Sequence, residues 1–270
     1  GGAFETAGRQ KITPPDPEIP QDTEAAAFFD VDNTLIQGSS LILLAQGLFK
    51  KRFITLSELA PALRKQIRYR VSGSENADDI AEGREQALAV VKGKSVAELK
   101  QACREIVDNR MLEKSYADTI ELAAMHLAAG QQVWLVSATP VQIGQALAET
   151  LGFTGALGTV AEEKDGKFTG RLVGDILHGP GKKHAVAALA ALQQLDLSKC
   201  TAYSDSINDL PMLEMVGSPV AINPDRALRK HAKAQGWAVR DYRSVRRVVR
   251  AGVVPAALAA AGLWWWWRRR

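Results

Sequence analysis

Cysteine is scarce in this chain of 270 residues, which contains only Cys103 and Cys200. The two residues are far apart in sequence and lack the short spacing of metal-binding cysteine pairs, so a cysteine metal centre is excluded. We expect a reducing compartment in which both thiols are structural.

The N-terminal region lacks a long apolar segment. Residues 1–24 contain four prolines and no periodic apolar face. They therefore have no secretory signal core, and we predict a disordered leader over residues 1–24. Residue 1 is Gly rather than Met, so it need not be the native N-terminus.

Acidic residues are almost absent from the C-terminal end. From Arg226 to Arg270, 12 Lys and Arg accompany one acid, Asp241, which gives a net charge of +11. The rest of the chain has 22 basic and 29 acidic residues, a net charge of −7. This asymmetry indicates an anionic partner for the end segment, either a membrane surface or nucleic acid. A solvated basic helix and tail is the alternative.

The last residues favour the membrane over nucleic acid. Ala251 to Trp267 are 17 residues without a charge, ending in four tryptophans and followed by three arginines. Their length is the lower limit for crossing a bilayer, and Trp beside Arg suits its interface. We predict that residues 243–270 form a tail that either spans a membrane or lies in its interface, and that the rest of the chain is cytoplasmic. A helix packed on the body or on a partner is the alternative.

Two carboxylates end a short apolar run near the start of the chain. Residues Ala25 to Phe29 are too short for a helix and do not alternate with polar residues, which predicts a strand buried on both faces. Asp30 and Asp32 follow at the strand end, where open parallel sheets bind their ligands. Such a pair can act as nucleophile and proton donor. An acidic turn without chemistry is the alternative.

Together with Thr34, these carboxylates form an Asp-x-Asp-x-Thr motif. In this motif the chain resembles the haloacid dehalogenase superfamily, specifically its phosphoserine-phosphatase-like phosphatases. Three further segments follow in the order that the family requires: Val133–Ser137, Gly179–Lys183 and Tyr203–Asp209.

Strands alternate with helices after Tyr116, with a helix predicted over about Val141 to Leu151 and a hairpin signal at Asp165-Gly166. Before Tyr116 the patterns are helical, over 39–49, 56–71, 78–91 and 96–110. The alternation predicts an α/β fold with a doubly wound parallel sheet. The resemblance implies a Rossmann-like core with an inserted helical cap. The predicted divisions are a core of 25–37 and 115–242, a cap of 38–114, the leader 1–24 and the tail 243–270.

The resemblance implies that Ser137 and Asn208 bind phosphate oxygens and that a lysine neutralises the nucleophile and the phosphoryl group. Lys182 and Lys183 compete for this role. Apolar residues stand three, four and seven positions after Lys182, as on a helix face that packs against a sheet, and the face measured from Lys183 is weaker. We therefore choose Lys182 and keep Lys183 as the solvated alternative.

The last segment resembles the family's Gly-Asp-x-x-Asn-Asp loop, with Ser204 in place of the usual Gly. The resemblance implies that Asp205 binds a metal directly and that Asp209 supports the metal's water shell. Mg²⁺ fits because it prefers hard oxygen ligands and retains several waters. Its expected ligands are a carboxylate oxygen of Asp30, the main-chain oxygen of Asp32, Asp205, waters and the substrate phosphate.

The resulting prediction is a Mg²⁺-dependent phosphomonoester phosphatase that forms an aspartyl-phosphate on a small-molecule or amphiphilic ester. Residues Gln37 to Ser40 lack the acid that phosphoserine phosphatases use for their substrate. The apolar residues between Leu41 and Phe49 are typical of ordinary cap packing. The alternative hypothesis is that they form an apolar entrance for an amphiphilic ester such as a lysophospholipid. Phosphoserine phosphatase proper, a phosphotransferase and a non-catalytic scaffold of the same fold remain as alternatives.

Overall fold

The computed structural model describes residues 12–14, 16–55, 57–58, 88–174 and 176–243. Within them the core is a six-stranded parallel sheet with the strand order β3-β2-β1-β6-β7-β8. The strands are β1 Ala26–Asp30, β2 Gln132–Pro140, β3 Gly155–Thr159, β6 Thr201–Ser204, β7 Ser218–Ile222 and β8 Ala238–Arg240. A separate antiparallel hairpin pairs β4 Ala161–Lys164 with β5 Lys167–Leu172.

Seven α-helices lie wholly within the described residues, and residues 57–58 and 88–91 are also helical. The seven helices are α1 Ser40–Lys50, α2 Val96–Ile106, α3 Ala117–Ala128, α4 Val141–Leu151, α5 Pro180–Gln193, α6 Leu210–Leu213 and α7 Arg226–Ala234. Side-chain caps begin several of them, among them Ser39 before α1 and Asp225 before α7. Such caps satisfy backbone N–H groups that have no partner within the helix.

Strand β1 is buried along its whole length because it lies in the middle of the sheet. Phe28 and Phe29 are fully buried and belong to two different hydrophobic clusters, since successive side chains of a strand point to opposite faces. Burying each ring contributes about 1.5–3 kcal/mol. The sheet is thus covered on both faces, which confirms the doubly wound α/β prediction.

The chain reverses its direction of winding beside β1. It proceeds from β1 to β2 and β3 on one side, and then returns to place β6, β7 and β8 on the other. All six strands are parallel, so their carboxyl ends meet at one edge. In such sheets the reversal point opens a crevice at that edge, where ligands bind. The ends of β1, β2 and β6 therefore converge there.

Local patterns predicted several elements closely. The helix expected over Val141 to Leu151 has these bounds in the structure. The Asp165-Gly166 hairpin signal is confirmed, and both residues have positive φ (52° and 74°), as a type I′ turn requires. Strand β8 was missed, because three residues with one partly buried apolar side chain leave no hydrophobic pattern.

Part of the predicted leader has hydrogen bonds to the core: Thr13 N–H donates to Thr154 O at 2.7 Å and Asp22 N–H to Gly130 O at 2.9 Å. The helices predicted over 56–71 and 78–91 lie outside the described residues except at 57–58 and 88–91, so the division into core and cap stays a prediction. No described helix is long and apolar enough to cross a membrane. The tail segment Ala251 to Trp267 lies outside the described residues.

Candidate active site

Helix α5 carries Lys182 into the interior of the protein. Its buried residues are Lys182, Ala185, Val186, Leu189 and Ala190, which is the face measured from Lys182, and Lys183 is exposed. Gly181 permits this entry because a Cβ there would lie 2.6 Å from the carbonyl oxygen of Ile176. The Gly-Pro-Gly start of the helix thus allows the close approach that brings Lys182 to the sheet edge.

Lys182 contacts two carboxylates at this edge. Its Nζ lies 2.5 Å from Asp30 Oδ1 and 2.7 Å from Asp209 Oδ2, and all three side chains are buried. Ser204 Oγ donates to the same oxygen of Asp209 at 2.7 Å. The residue that replaces the family's usual Gly therefore holds the second acid of the loop in place.

Asp32 is held by the first turn of α1. Its Oδ1 accepts hydrogen bonds from Ser40 N–H at 3.0 Å and from the Ser40 hydroxyl. Asp32 is half-buried, whereas Ser40 is fully buried. The helix start therefore fixes one carboxylate oxygen of Asp32.

Ser137 lies near the carboxyl end of β2, where the strand bends in a register shift between Val136 and Pro140. Its hydroxyl is 2.8 Å from Thr139 Oγ1, and Thr139 N–H donates to Ser137 Oγ at 3.2 Å. Both residues are buried. Their hydroxyls and the exposed bend at Ala138 face the same cavity.

This cavity of about 250 Å³ is lined by all seven predicted site residues: Asp30, Asp32, Ser137, Lys182, Asp205, Asn208 and Asp209. Leu41, from the apolar stretch considered for an amphiphilic ester, also lines the cavity. The sequence did not predict its other lining residues, Ser39, Ala138, Thr139, His178 and Ser206. A larger groove of about 780 Å³ lies between the end of α1 and α2, but it contains none of the predicted residues. The smaller cavity is the candidate active site.

The carboxylates in the cavity perturb one another. Burial raises the pKa of Asp30 to about 8; Lys182 opposes this increase, and Asp209 and Asp205 reinforce it. Burial likewise raises the pKa of Asp205 to about 6, against a hydrogen bond from Asn33. Burial alone would lower the pKa of Lys182, but Asp30 and Asp209 outweigh it and raise the pKa above its usual value. The lysine therefore stays charged.

Four carboxylates line the cavity, and Lys182 is the buried cation among them. A second cation would reduce the repulsion between the carboxylates. Hard carboxylate oxygens are ligands that suit Mg²⁺. Among the described residues no three His, Cys, Asp or Glu side chains form a metal site by themselves.

Several residues of the site escaped sequence reasoning. Ser40 and Thr139 act through hydroxyls that are common at helix starts and strand ends, and His178 has no distinctive spacing. The matched motif residue Thr34 is buried, and its Oγ1 has no partner among the described residues. The hydrogen bond from Ser204 to Asp209 has one counterpart in the sequence, because Ser204 stands where the family usually has Gly.

Comparison with known proteins agrees with this geometry. Residues 27–214 match the family model of haloacid dehalogenase-like hydrolases. The chain is 53% identical to phosphoserine phosphatase SerB1 of Mycobacterium tuberculosis over 244 residues, which are 90% of this chain and 79% of that protein. It is 32% identical to a histidinol-phosphatase of Neisseria meningitidis over 221 residues, 80% of this chain and 98% of that protein.

Among solved structures, a protein of unknown function from Bordetella pertussis superposes with a TM-score of 0.71 and 30% identity. The match covers 81% of this chain and 98% of that one. The family match spans more than half of the chain and includes Asp30, Ser137, Lys182 and Asp209. The chain therefore belongs to the haloacid dehalogenase-like hydrolase family and is a phosphoric monoester hydrolase, as the Asp-x-Asp-x-Thr motif predicted.

Proposed function

We propose that this protein is a Mg²⁺-dependent phosphatase that cleaves phosphomonoesters through an aspartyl-phosphate on Asp30. One observation carries the proposal: Asp30 is buried against Lys182 in a cavity that Asp32 also lines. A charge-paired carboxylate with a second carboxylate beside it provides both a nucleophile and a proton donor.

In the proposed first step, Asp30 attacks the phosphorus atom in line, and the bond to the leaving alcohol breaks. Asp32 donates a proton to that alcohol. In the second step Asp32 accepts a proton from water, which attacks the aspartyl-phosphate and releases phosphate. Because Ser40 fixes one oxygen of Asp32, the other oxygen is available to exchange the proton.

Charge neutralisation and positioning supply most of the rate enhancement in phosphoryl transfer. Lys182 is the buried cation beside Asp30. We propose that it neutralises the negative charge of the nucleophile and of the phosphoryl oxygens. Ser137 and Asn208 line the cavity and offer donors to the phosphate. The neighbouring Thr139 hydroxyl is within hydrogen-bonding distance of Ser137 and orients it.

Asp30, the main-chain oxygen of Asp32 and Asp205 would hold Mg²⁺, with Asp209 supporting its waters. When bound, the ion would neutralise charge on the transferred phosphoryl group. The residues fit this role because their oxygens are hard ligands and their charges exceed that of Lys182.

We propose a small or amphiphilic phosphate ester as substrate. Relatives named for phosphoserine and for histidinol phosphate differ in the leaving group, so the family match leaves it open. Leu41 lines the cavity, and Leu41 and Ile42 are more than half exposed beside it, which supports an apolar leaving group. Leu41 and Ile42 would contact such a group from α1.

The test is phosphate release from a panel of O-phosphoserine, histidinol phosphate and lysophosphatidate, with Mg²⁺ or with a chelator. Asp30→Asn removes the nucleophile, and Asp118→Asn is the matched control because Asp118 is exposed on α3. We expect Mg²⁺-dependent release by the wild type and the control, and none by Asp30→Asn. No release by a folded, Mg²⁺-loaded wild type on any ester would contradict the proposal and favour a scaffold.

The same assay separates hydrolysis from transfer. A phosphotransferase would pass the phosphoryl group from Asp30 to an alcohol instead of water. With glycerol added, transfer would yield glycerol phosphate in place of free phosphate, whereas the proposed phosphatase releases free phosphate at an unchanged ratio to alcohol product.

We also propose that residues 243–270 attach the catalytic domain to a membrane from the cytoplasmic side. The support is the charge of the adjacent surface. Arg226, Lys230 and Lys233 are exposed at positions i, i+4 and i+7 of α7, and none has an ion pair among the described residues. A helix face with three cations, followed later in the sequence by an uncharged, Trp-rich segment, suits an anionic lipid surface.

A further inference from the structure

The turn after β1 is held from two sides by buried side chains. Asn223 Nδ2 donates to the carbonyl oxygen of Asn33 at 2.8 Å, and Thr119 Oγ1 donates to that of Thr34 at 2.8 Å. Both donor residues are completely buried. The two carbonyls are consecutive, and they follow Asp32 directly. Each donor therefore acts on the backbone of the Asp-x-Asp-x-Thr motif itself.

Asn223 also makes hydrogen bonds to a second segment, which hold it in place. It follows β7, its N–H donates to Arg240 O at 2.7 Å, and its Oδ1 accepts from Tyr242 N–H at 2.7 Å. Its φ of 47° is in the left-handed region, which Asn tolerates better than most residues. Through its main chain and its side chain, Asn223 therefore connects the turn after β1 to Arg240 and Tyr242, the two neighbours of Asp241.

The same segment also holds the second acidic loop. Asp225 N–H donates to the main-chain oxygen of Asp205 at 2.8 Å. Its carboxylate accepts from Ile207 N–H at 2.8 Å and, as the cap of α7, from Leu228 N–H at 2.7 Å. Residues Asn223 to Asp225 therefore set the distance between the turn that carries Asp32 and the loop that carries Asp205.

We propose that Asn223 and Thr119 are positioning residues that orient the main-chain oxygen of Asp32 toward the cavity; the inference rests on the proposed function. The main-chain oxygen of Asp32 shares a planar peptide group with Asn33 N–H, which donates to Gly38 O at 3.3 Å. Asn223 and Thr119 hold the next two peptide groups, so together these bonds limit the positions that the Asp32 carbonyl can adopt. Outer partners of metal ligands typically change metal affinity or activity by about 10- to 100-fold when they are removed.

Two variants test the role. Asn223→Gly removes the amide and keeps a residue that accepts positive φ, and Thr119→Val removes the hydroxyl at constant shape. Val216→Ala is the control, because Val216 is buried just before β7, at the strand end opposite Asn223. For each protein we would measure the Kd of Mg²⁺ by calorimetry without substrate, kcat and KM for the best ester, and the Tm.

We expect Asn223→Gly and Thr119→Val to weaken Mg²⁺ binding about tenfold or more and to lower kcat, whereas the control lowers only the Tm. A lowered Tm with unchanged Mg²⁺ affinity in both variants would overturn the positioning role and leave the proposed function intact. Absence of Mg²⁺ binding by the wild type together with absence of Mg²⁺-dependent phosphate release would overturn both. If Asn223→Gly does not fold, the isosteric Thr119→Val decides the question.

Discussion

Lys182 lies between Asp30 and Asp209, with its Nζ 2.5 Å from one carboxylate and 2.7 Å from the other. Asp30 ends strand β1 and Asp209 lies in the turn after β6, 179 residues later in the sequence, yet the two acids share one buried cation. Because this lysine is paired with the proposed nucleophile, it links the stability of the site to its chemistry.

Replacing Lys182 by Met should lower the free energy of unfolding and abolish phosphatase activity. The change leaves Asp30 and Asp209 buried without their cation, which typically costs about 3–5 kcal/mol. Urea denaturation followed by circular dichroism measures the loss, and phosphate release measures the activity.

Lys183→Met is the matched control, because the neighbouring lysine is exposed. We expect its unfolding free energy and its activity to stay close to those of the wild type. Equal losses in the two variants would show that the buried ion pairs of Lys182 do not decide the stability or the activity.

Ser40→Ala should lower kcat and change KM little. The variant keeps the Ser40 N–H bond to Asp32 Oδ1 and loses the hydroxyl bond, so Asp32 can rotate away from the leaving group. A hydrogen bond to a charged group contributes about 1.5–3 kcal/mol, which corresponds to roughly tenfold or more in rate.

Steady-state kinetics at saturating Mg²⁺ measure this effect. Ser95→Ala is the control, because Ser95 caps α2 outside the cavity, and its loss should reduce stability alone. A kcat for Ser40→Ala within twofold of the wild-type value would show that the backbone bond is sufficient to position Asp32.

The two thiols should be unreactive in the folded protein. Cys103 and Cys200 are buried, and burial raises the pKa of Cys103 to about 12 and also raises the pKa of Cys200. Thiolates are the reactive form, so a disulfide reagent at pH 8 should label neither thiol until urea is added. Rapid labelling of the native protein would contradict the structural role.

The same shift predicts how stability depends on pH. The thiol of Cys103 has an ordinary pKa of 9.0 when unfolded and about 12 when folded. Its contribution is fully present below pH 9.0 and is lost as the pH rises toward 12, because the unfolded state then gains the thiolate. The urea midpoint should fall over this range, and Cys103→Ala should reduce that fall.

The full chain should bind vesicles that contain anionic lipid. Each Lys or Arg near such a surface contributes about 1 kcal/mol, so replacing Arg226, Lys230 and Lys233 by Gln should weaken binding measurably. Truncation after Arg243 should weaken it further by removing the tail. Flotation with phosphatidylserine vesicles measures the effect, with Lys164→Gln as a control on the separate hairpin.

Added salt should release the protein from these vesicles only in part, because the uncharged segment binds independently of charge. Equal binding to purely zwitterionic vesicles would contradict a role for the basic face. Retention of double-stranded DNA in place of vesicles would identify nucleic acid as the anionic partner.

Local periodicity by itself determined the elements and their reactive ends. The apolar run before Asp30 predicted a central strand, because a strand covered on both faces contains no polar alternation. The apolar spacing after Lys182 predicted which lysine faces the sheet, because a helix repeats every 3.6 residues. Both patterns involve residues close together in the chain, so they can be recognised from a single sequence.

Tertiary structure alone decided which common polar residues serve the site. The hydrogen bond from Thr119 to Thr34 spans 85 residues, and that from Asn223 to Asn33 spans 190. Before the chain folds, nothing distinguishes these side chains from other Thr and Asn residues. Their roles arise from the parallel arrangement of the strands, which brings the end of β7 and the start of α3 against the turn after β1.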